Sequence, residues 1–179
     1  MKRNAFSMIE LVFVIVILGV LSAISVPRFI ASRADAEVAA VRNDIATILK
    51  TIPMNIFAQN IEISGMPPSN FSISGVRNAT WGHWIVDTVG LDKSRWKVSS
   101  NGVEPIYKKA SNPNNSLGCG IVILIIPTSA NKPAHISFDP ELFEKGPGAK
   151  HALCKGLRAA YPKGSKRIIP LEDTGRIKF

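Results

Sequence analysis

The sequence predicts an α+β protein, with one long N-terminal helix laid against an antiparallel sheet of about four strands. Three observations predict it. From Phe6 to Val26 there are 21 residues with one charge, Glu10. Val38, Val41, Ile45, Ile48, Leu49 and Ile52 then recur at spacings of three, four, three, one and three, which is one apolar stripe on an amphipathic helix. The C-terminal half alternates instead, with the hairpin signal Asn101-Gly102 and the β-branched block Ile121-Val122-Ile123-Leu124-Ile125-Ile126.

The apolar run comes first. Its length corresponds to about 30 Å of helix, roughly the hydrocarbon thickness of a bilayer. A carboxylate inside such a run costs about 2.5–3.5 kcal/mol at the bilayer centre and less near the edge. Glu10 is therefore a functional residue that needs a partner. Ala5-Phe6-Ser7-Met8-Ile9-Glu10-Leu11 resembles the cleavage-and-methylation signature of type IV pilins and type II secretion pseudopilins. The resemblance implies a leader at residues 1–5, a cut by a prepilin peptidase between Ala5 and Phe6, and methylation of the new amine on Phe6. Ala5 stands where the family more often has Gly. Gly19 and Pro27 match the helix-softening positions of the family's N-terminal helix.

Cleavage would leave a positive amine on Phe6, and an ammonium at close range offsets part of the cost of burying Glu10. The resemblance implies that this amine belongs to a neighbouring subunit, so that the pair sets register during assembly. The chain's own amine is the alternative. Two plainer readings compete. One is a secretory signal peptide cut after Ser25, against which Glu10 and Pro27 argue. The other is a signal anchor with nothing to assemble. In both, Lys2 and Arg3 stay cytoplasmic and the bulk of the chain is exported.

Beyond residue 27 the chain is long enough for one compact domain. Helix is expected to resume after Pro27, with Arg33, Asp35, Glu37, Arg42 and Asp44 largely on the other faces, and Pro53 is expected to end or kink it. Gly65 to Ser69 reads as a loop, and Trp81-Gly82-His83-Trp84 as an aromatic segment over the helix with His83 at the core edge. Strands follow at Arg95–Ser99 and from Val103 to Tyr107, where Pro105 suggests an edge. Ser111 to Ser116 reads as a polar loop and Ile121–Ile126 as a central buried strand. Ala134–Phe138 is the next strand, across a turn at Ser129–Lys132. His151–Tyr161 reads as a short helix, and Arg167–Ile169 and Arg176–Lys178 as short terminal strands.

Cys119 and Cys154 suit one disulfide in an oxidising compartment, with free thiols and a zinc site as alternatives. Three scattered histidines, His83, His135 and His151, have no ligand spacing, so no metal and no cofactor is expected. No GxSxG, HExxH, Walker or GxGxxG pattern occurs, so an enzyme is not expected. The formal net charge is +9. From Lys145 to Phe179 nine basic residues face only Glu172 and Asp173. Lys163, Lys166 and Arg167 are therefore candidate contacts for a polyanion such as DNA, with Tyr161 available to stack. A solvated basic face is the plainer reading.

The expectation is thus a pilin-like roll with three parts: leader 1–5, transmembrane and assembly helix 6–27, and periplasmic domain 28–179. The resemblance implies a filament subunit, anchored once in a bacterial inner membrane with its N-terminus cytoplasmic. Its partners would be a prepilin peptidase, other pilin or pseudopilin subunits, a platform protein and an ATPase. The fibre would serve type II secretion, a type IV pilus or DNA uptake. A membrane-anchored periplasmic binding protein or enzyme is the alternative.

Overall fold

A computed structural model describes residues 7–63, 65, 67, 76, 78–109, 112–129 and 132–172, with the backbone alone for 24–33, 108–109 and 112–115. The long helix α1 runs without a break from Met8 to Gln59. Its lower half shows why the stripe was legible. Val41, Ile45, Ile48, Ile52 and Ile56 are all buried, and Val38 and Leu49 are partly so. Asn60 closes the helix in the left-handed region, its N–H turned back to the carbonyls of Ile56 and Phe57.

Pro53 does not end the helix, contrary to expectation. Its ring removes one backbone bond and costs about 3 kcal/mol. Burying Ile52 and Ile56 on either side contributes about 1.5–3 kcal/mol each. Both are at most 2% exposed, so packing outweighs the break and helix persists for six residues beyond Pro53.

After α1 the chain returns over the sheet through α2 (Trp81–Val89). His83 caps α2: its Nδ1 lies 3.3 Å from the Thr80 amide and 2.8 Å from the Thr80 hydroxyl. Trp81, Trp84 and Ile85 face the core. Gly82 allows α2 to rest on the first hairpin, since a Cβ there would lie 2.2 Å from the Ser99 carbonyl oxygen.

The antiparallel sheet has six strands against about four expected, with β6 at the expected terminal strand: β1 (Trp96–Val98), β2 (Gly102–Lys109), β3 (Asn112–Gly118), β4 (Ile123–Ile126), β5 (His135–Phe138) and β6 (Arg167–Pro170). The order is β1-β2-β4-β5-β6, with β3 paired to β2. The added strand is β3, expected as a polar loop. Its sequence has low β-propensity, and pairing with the outer half of β2 organises it. Pro105 sits on an interior strand rather than an edge, opposite Trp96. On its other side β2 changes partner from β4 to β3. There the Pro105 carbonyl accepts from the Cys119 amide, so the missing N–H falls at the change of partner. The first hairpin forms with Ser100-Asn101 at its tip, and Gly102 already belongs to β2. The Ile123 carbonyl oxygen would lie 2.0 Å from a Cβ at Gly102. The expected central strand is β4, flanked by β2 and β5. The expected Arg176–Lys178 strand lies outside the described residues.

Two contacts weld the sheet layer to α1. Asp44 accepts from Trp96 Nε1 at 2.8 Å and pairs with Arg95 at 3.4 Å. The helix α3 (Ala152–Ala159) crosses α1 at Gly156, where a Cβ would stand 2.7 Å from Val38 Cγ2. Cys154 on α3 is bonded to Cys119, which follows β3, with a Cα–Cα distance of 5.3 Å and no exposure of either residue. Between them a 3₁₀ turn (Pro140–Glu144) starts on an Asp139 cap. Gly146 N–H then bonds the Cys119 carbonyl at 2.8 Å.

The disulfide spans 35 positions, which in the chain-entropy picture contributes about 3–4 kcal/mol. Replacing both cysteines by Ala is expected to lower the unfolding free energy of the full chain in detergent, read from urea titration, by that amount, with a steeper slope because the unfolded chain loses its cross-link. An unfolding free energy within about 1 kcal/mol of the parent would mean that α3 is held on α1 by packing alone.

Candidate functional site: the bare helix end and the basic groove

Two regions can carry function, and they lie at different heights on α1. The first is the helix start. Ala5 and Phe6 lie outside the described residues. The amides of Glu10 and Leu11 both bond the Ser7 carbonyl, which opens the helix. Glu10 stands exposed in the first turn, where unpaired helix amides carry partial positive charge. Every large apolar side chain from Met8 to Leu21 is at least 41% exposed. A stripe would point to one partner face, whereas apolar exposure all round points to an apolar surrounding. Among the fully described residues no helix is long and apolar enough to cross a membrane. The span expected over 6–27 has both its ends, Phe6 and 24–27, outside them. Gly19 has no atom outside its own helix turn within 4 Å of a built Cβ. The helix backbone is continuous through Gly19 and Pro27.

The second region is a groove of about 430 Å³ between α1, β5, β6 and the end of α3. Ala39, Ile45, Ala46, Leu49 and Phe138 give it an apolar wall, and Arg42, Asn43, Tyr161 and Arg167 a polar one. The Arg42 guanidinium stands 5.8 Å from the Tyr161 ring centroid. Burial pushes the Tyr161 hydroxyl pKa up, and Arg42 and Arg167 oppose that. The ring also meets Phe138 at 5.0 Å and Phe143 at 6.1 Å. With aromatic neighbours and a guanidinium already around it, Tyr161 is part of the wall rather than a free stacking platform.

Of the three candidate polyanion contacts, the structure brings only Arg167 into this groove. Lys163 is exposed on the turn after α3, and Lys166 pairs with Asp139 at 3.3 Å. Arg158 bonds the Tyr161 carbonyl at 2.8 Å and approaches Glu144 at 4.0 Å. Sequence reasoning placed Arg42 and Asp44 only on the polar faces of the helix. Both flank the buried stripe, four residues after Val38 and three after Val41, and that offset was the available signal. Among the described residues no group of His, Cys, Asp and Glu could hold a metal ion.

His151 has a structural role. It caps α3, accepting from the Leu153 amide at 3.3 Å, and its ring stacks on Tyr107 at 3.5 Å.

Compared with known families, the chain matches the prokaryotic N-terminal methylation motif over residues 1–26. This is the prepilin motif of type IV pilins and pseudopilins. The motif is one that pilin-like and pseudopilin filament subunits carry. No curated protein and no solved structure matches the chain.

Burial lowers the His151 pKa below its ordinary 6.5, with the Glu37 carboxylate opposing. The unfolded chain therefore takes up this proton first as pH falls. The stability that neutral His151 contributes is full above about pH 6.5 and is lost as pH drops through the lower folded-state value. Protonation at Nδ1 would also end the cap. His151→Asn keeps a capping oxygen without titrating. The full chain in detergent is expected to lose melting temperature between pH 7.5 and 5, and His151→Asn to lose less. Equal losses would place the acid sensitivity elsewhere.

Proposed function

We propose that this chain is a pilin or pseudopilin subunit that waits in a bacterial inner membrane and is drawn from it into a fibre. Residues 1–5 are the leader, 6–27 the single membrane pass and assembly helix, and 28–179 the periplasmic domain with the amphipathic half of α1. The peptidase cuts between Ala5 and Phe6, and Phe6 is then methylated. A platform protein and an ATPase drive assembly for type II secretion, a type IV pilus or DNA uptake.

One observation carries this reading. The prepilin motif runs into a helix that leaves every large apolar side chain from Met8 to Leu21 exposed and buries a stripe from Val41 to Ile56 in a folded head. A lipid bilayer covers that exposed part before assembly, and the helices of neighbouring subunits cover it afterwards. Glu10 belongs to the second state. Its carboxylate costs free energy in hydrocarbon and recovers part of it against the Phe6 amine of a neighbour. Gly19 and Pro27 soften the helix so that it can adjust as it leaves the membrane. A nucleic-acid role for Lys163, Lys166 and Arg167 rests on their exposure alone.

Intact mass of protein from cells containing the peptidase should correspond to a chain starting at a methylated Phe6. A chain starting at Val26 would establish a signal peptide. Glu10→Ala should still enter the membrane and should fail to enter fibres. Normal incorporation would remove Glu10 from the mechanism, whereas a parent chain that never enters fibres would leave a plain anchor, and with it the reading as a tethered binding protein or enzyme.

A further inference from the structure

The groove beside α1 combines an apolar floor with two cations whose charge the fold leaves open. Among the described residues, Arg42 and Arg167 are in no ion pair, whereas Lys166 and Arg158 have Asp139 and Glu144. Ala39 and Ala46 keep the helix wall low, and Ile45, Leu49 and Phe138 line the space. Its volume of about 430 Å³ is that of an ordinary ligand site. Two planar guanidinium groups beside an apolar floor match carboxylates carried next to apolar side chains.

We propose that this groove docks an acidic segment of a different protein, with one or two of its carboxylates on Arg42 and Arg167 and an apolar side chain over Ala46 and Leu49. Three alternatives fit less well. Another copy of this chain is disfavoured by charge, since each copy carries +9 before processing and stays strongly positive without Lys2 and Arg3. A nucleic-acid track needs a continuous row of free cations, and Asp139 and Glu144 interrupt the C-terminal series. A lipid headgroup is out of reach if Val26 marks the membrane surface, because Arg42 then stands about 24 Å above it along the helix, several Debye lengths away. That last exclusion alone rests on the membrane reading above.

The test uses the full chain in uncharged detergent. The probes are a short dye-labelled peptide of Glu, Leu and Ser, its Gln-for-Glu counterpart, and a dye-labelled DNA duplex, each followed by anisotropy. The Glu peptide is expected to bind at least about tenfold tighter than the Gln peptide. Arg42→Gln with Arg167→Gln should remove that preference, Arg42→Lys should weaken it, and Lys163→Gln should leave it intact. Both arginines are exposed, and an unchanged melting temperature checks that the variants fold. Equal binding of the two peptides, or a preference that survives the double substitution, overturns the proposal. So does tighter binding of the duplex that is lost on replacing Lys163, Lys166 and Arg167 but not Arg42. Binding is read on the unassembled chain, so a failure of the filament reading, seen in mass or in the Glu10→Ala phenotype, is a separate result.

Discussion

The burial of one stripe of α1 is the constraint on which the other elements depend. Val41, Ile45, Ile48, Ile52 and Ile56 each leave at most 2% of their surface exposed. At about 1.5–3 kcal/mol per side chain, this stripe is a large apolar contribution for one element to make to the head. It fixes the rotation of the helix about its axis. Once that rotation is set, Asp44 is turned to Trp96 and Arg95, Val38 to Gly156, and Arg42 to the edge of the sheet beside Tyr161. The stripe belongs to the half of the helix in the head, whereas from Met8 to Leu21 the large apolar side chains are bare.

The remaining elements hold that rod in the head from two sides. Asp44 joins α1 to β1 in a partly buried environment, where a hydrogen bond to a charged group contributes about 1.5–3 kcal/mol. On the other side α3 approaches closely because Gly156 has no side chain, and the Cys119–Cys154 bond ties α3 back to the sheet. Gly118, Gly120, Gly146 and Gly148 crowd around that bond. At each of them a Cβ would come within 3 Å of another atom. At Gly120 and Gly146 the close atoms are backbone of the facing segment, so the loops that carry the disulfide pack backbone against backbone there.

The parts of this architecture that were legible in the sequence are those set by periodicity. The helix stripe, the central block at Ile123–Ile126 and the short helix around Cys154 each bury a repeating apolar pattern, and a pattern is local. What was not legible depended on a neighbour. Pro53 breaks helices when alone, and here two buried isoleucines on its own helix outweigh it. Asn112–Gly118 has no strand composition and is a strand because β2 has an edge to offer. Pro105 reads as an edge residue, and the edge it needs exists only where β2 exchanges β4 for β3. The processing motif was legible because it is a linear signal. The groove was not, since Arg42 and Arg167 are 125 positions apart and only the packing of β6 beside α1 brings them together.

The two functional regions share one rigid element, and this couples them. Glu10 and Arg42 are both on α1, which is continuous between them, about 48 Å apart along the axis. A subunit whose Glu10 meets the Phe6 amine of a neighbour has its height in the fibre set at that end. The height of the groove is then set as well, because a helix neither stretches nor twists appreciably at the cost of one ion pair. An acidic segment presented by an adjacent, different subunit reaches Arg42 and Arg167 only at one axial offset. A subunit of the wrong kind, or the right kind one step out of register, leaves two guanidinium groups facing an apolar or basic surface. Charge at the groove would therefore select which subunit stands beside this one, while charge at the helix start would select where it stands. Gly19 and Pro27, the proposed softening positions, lie between the two, and a bend at either would loosen the link between the two conditions.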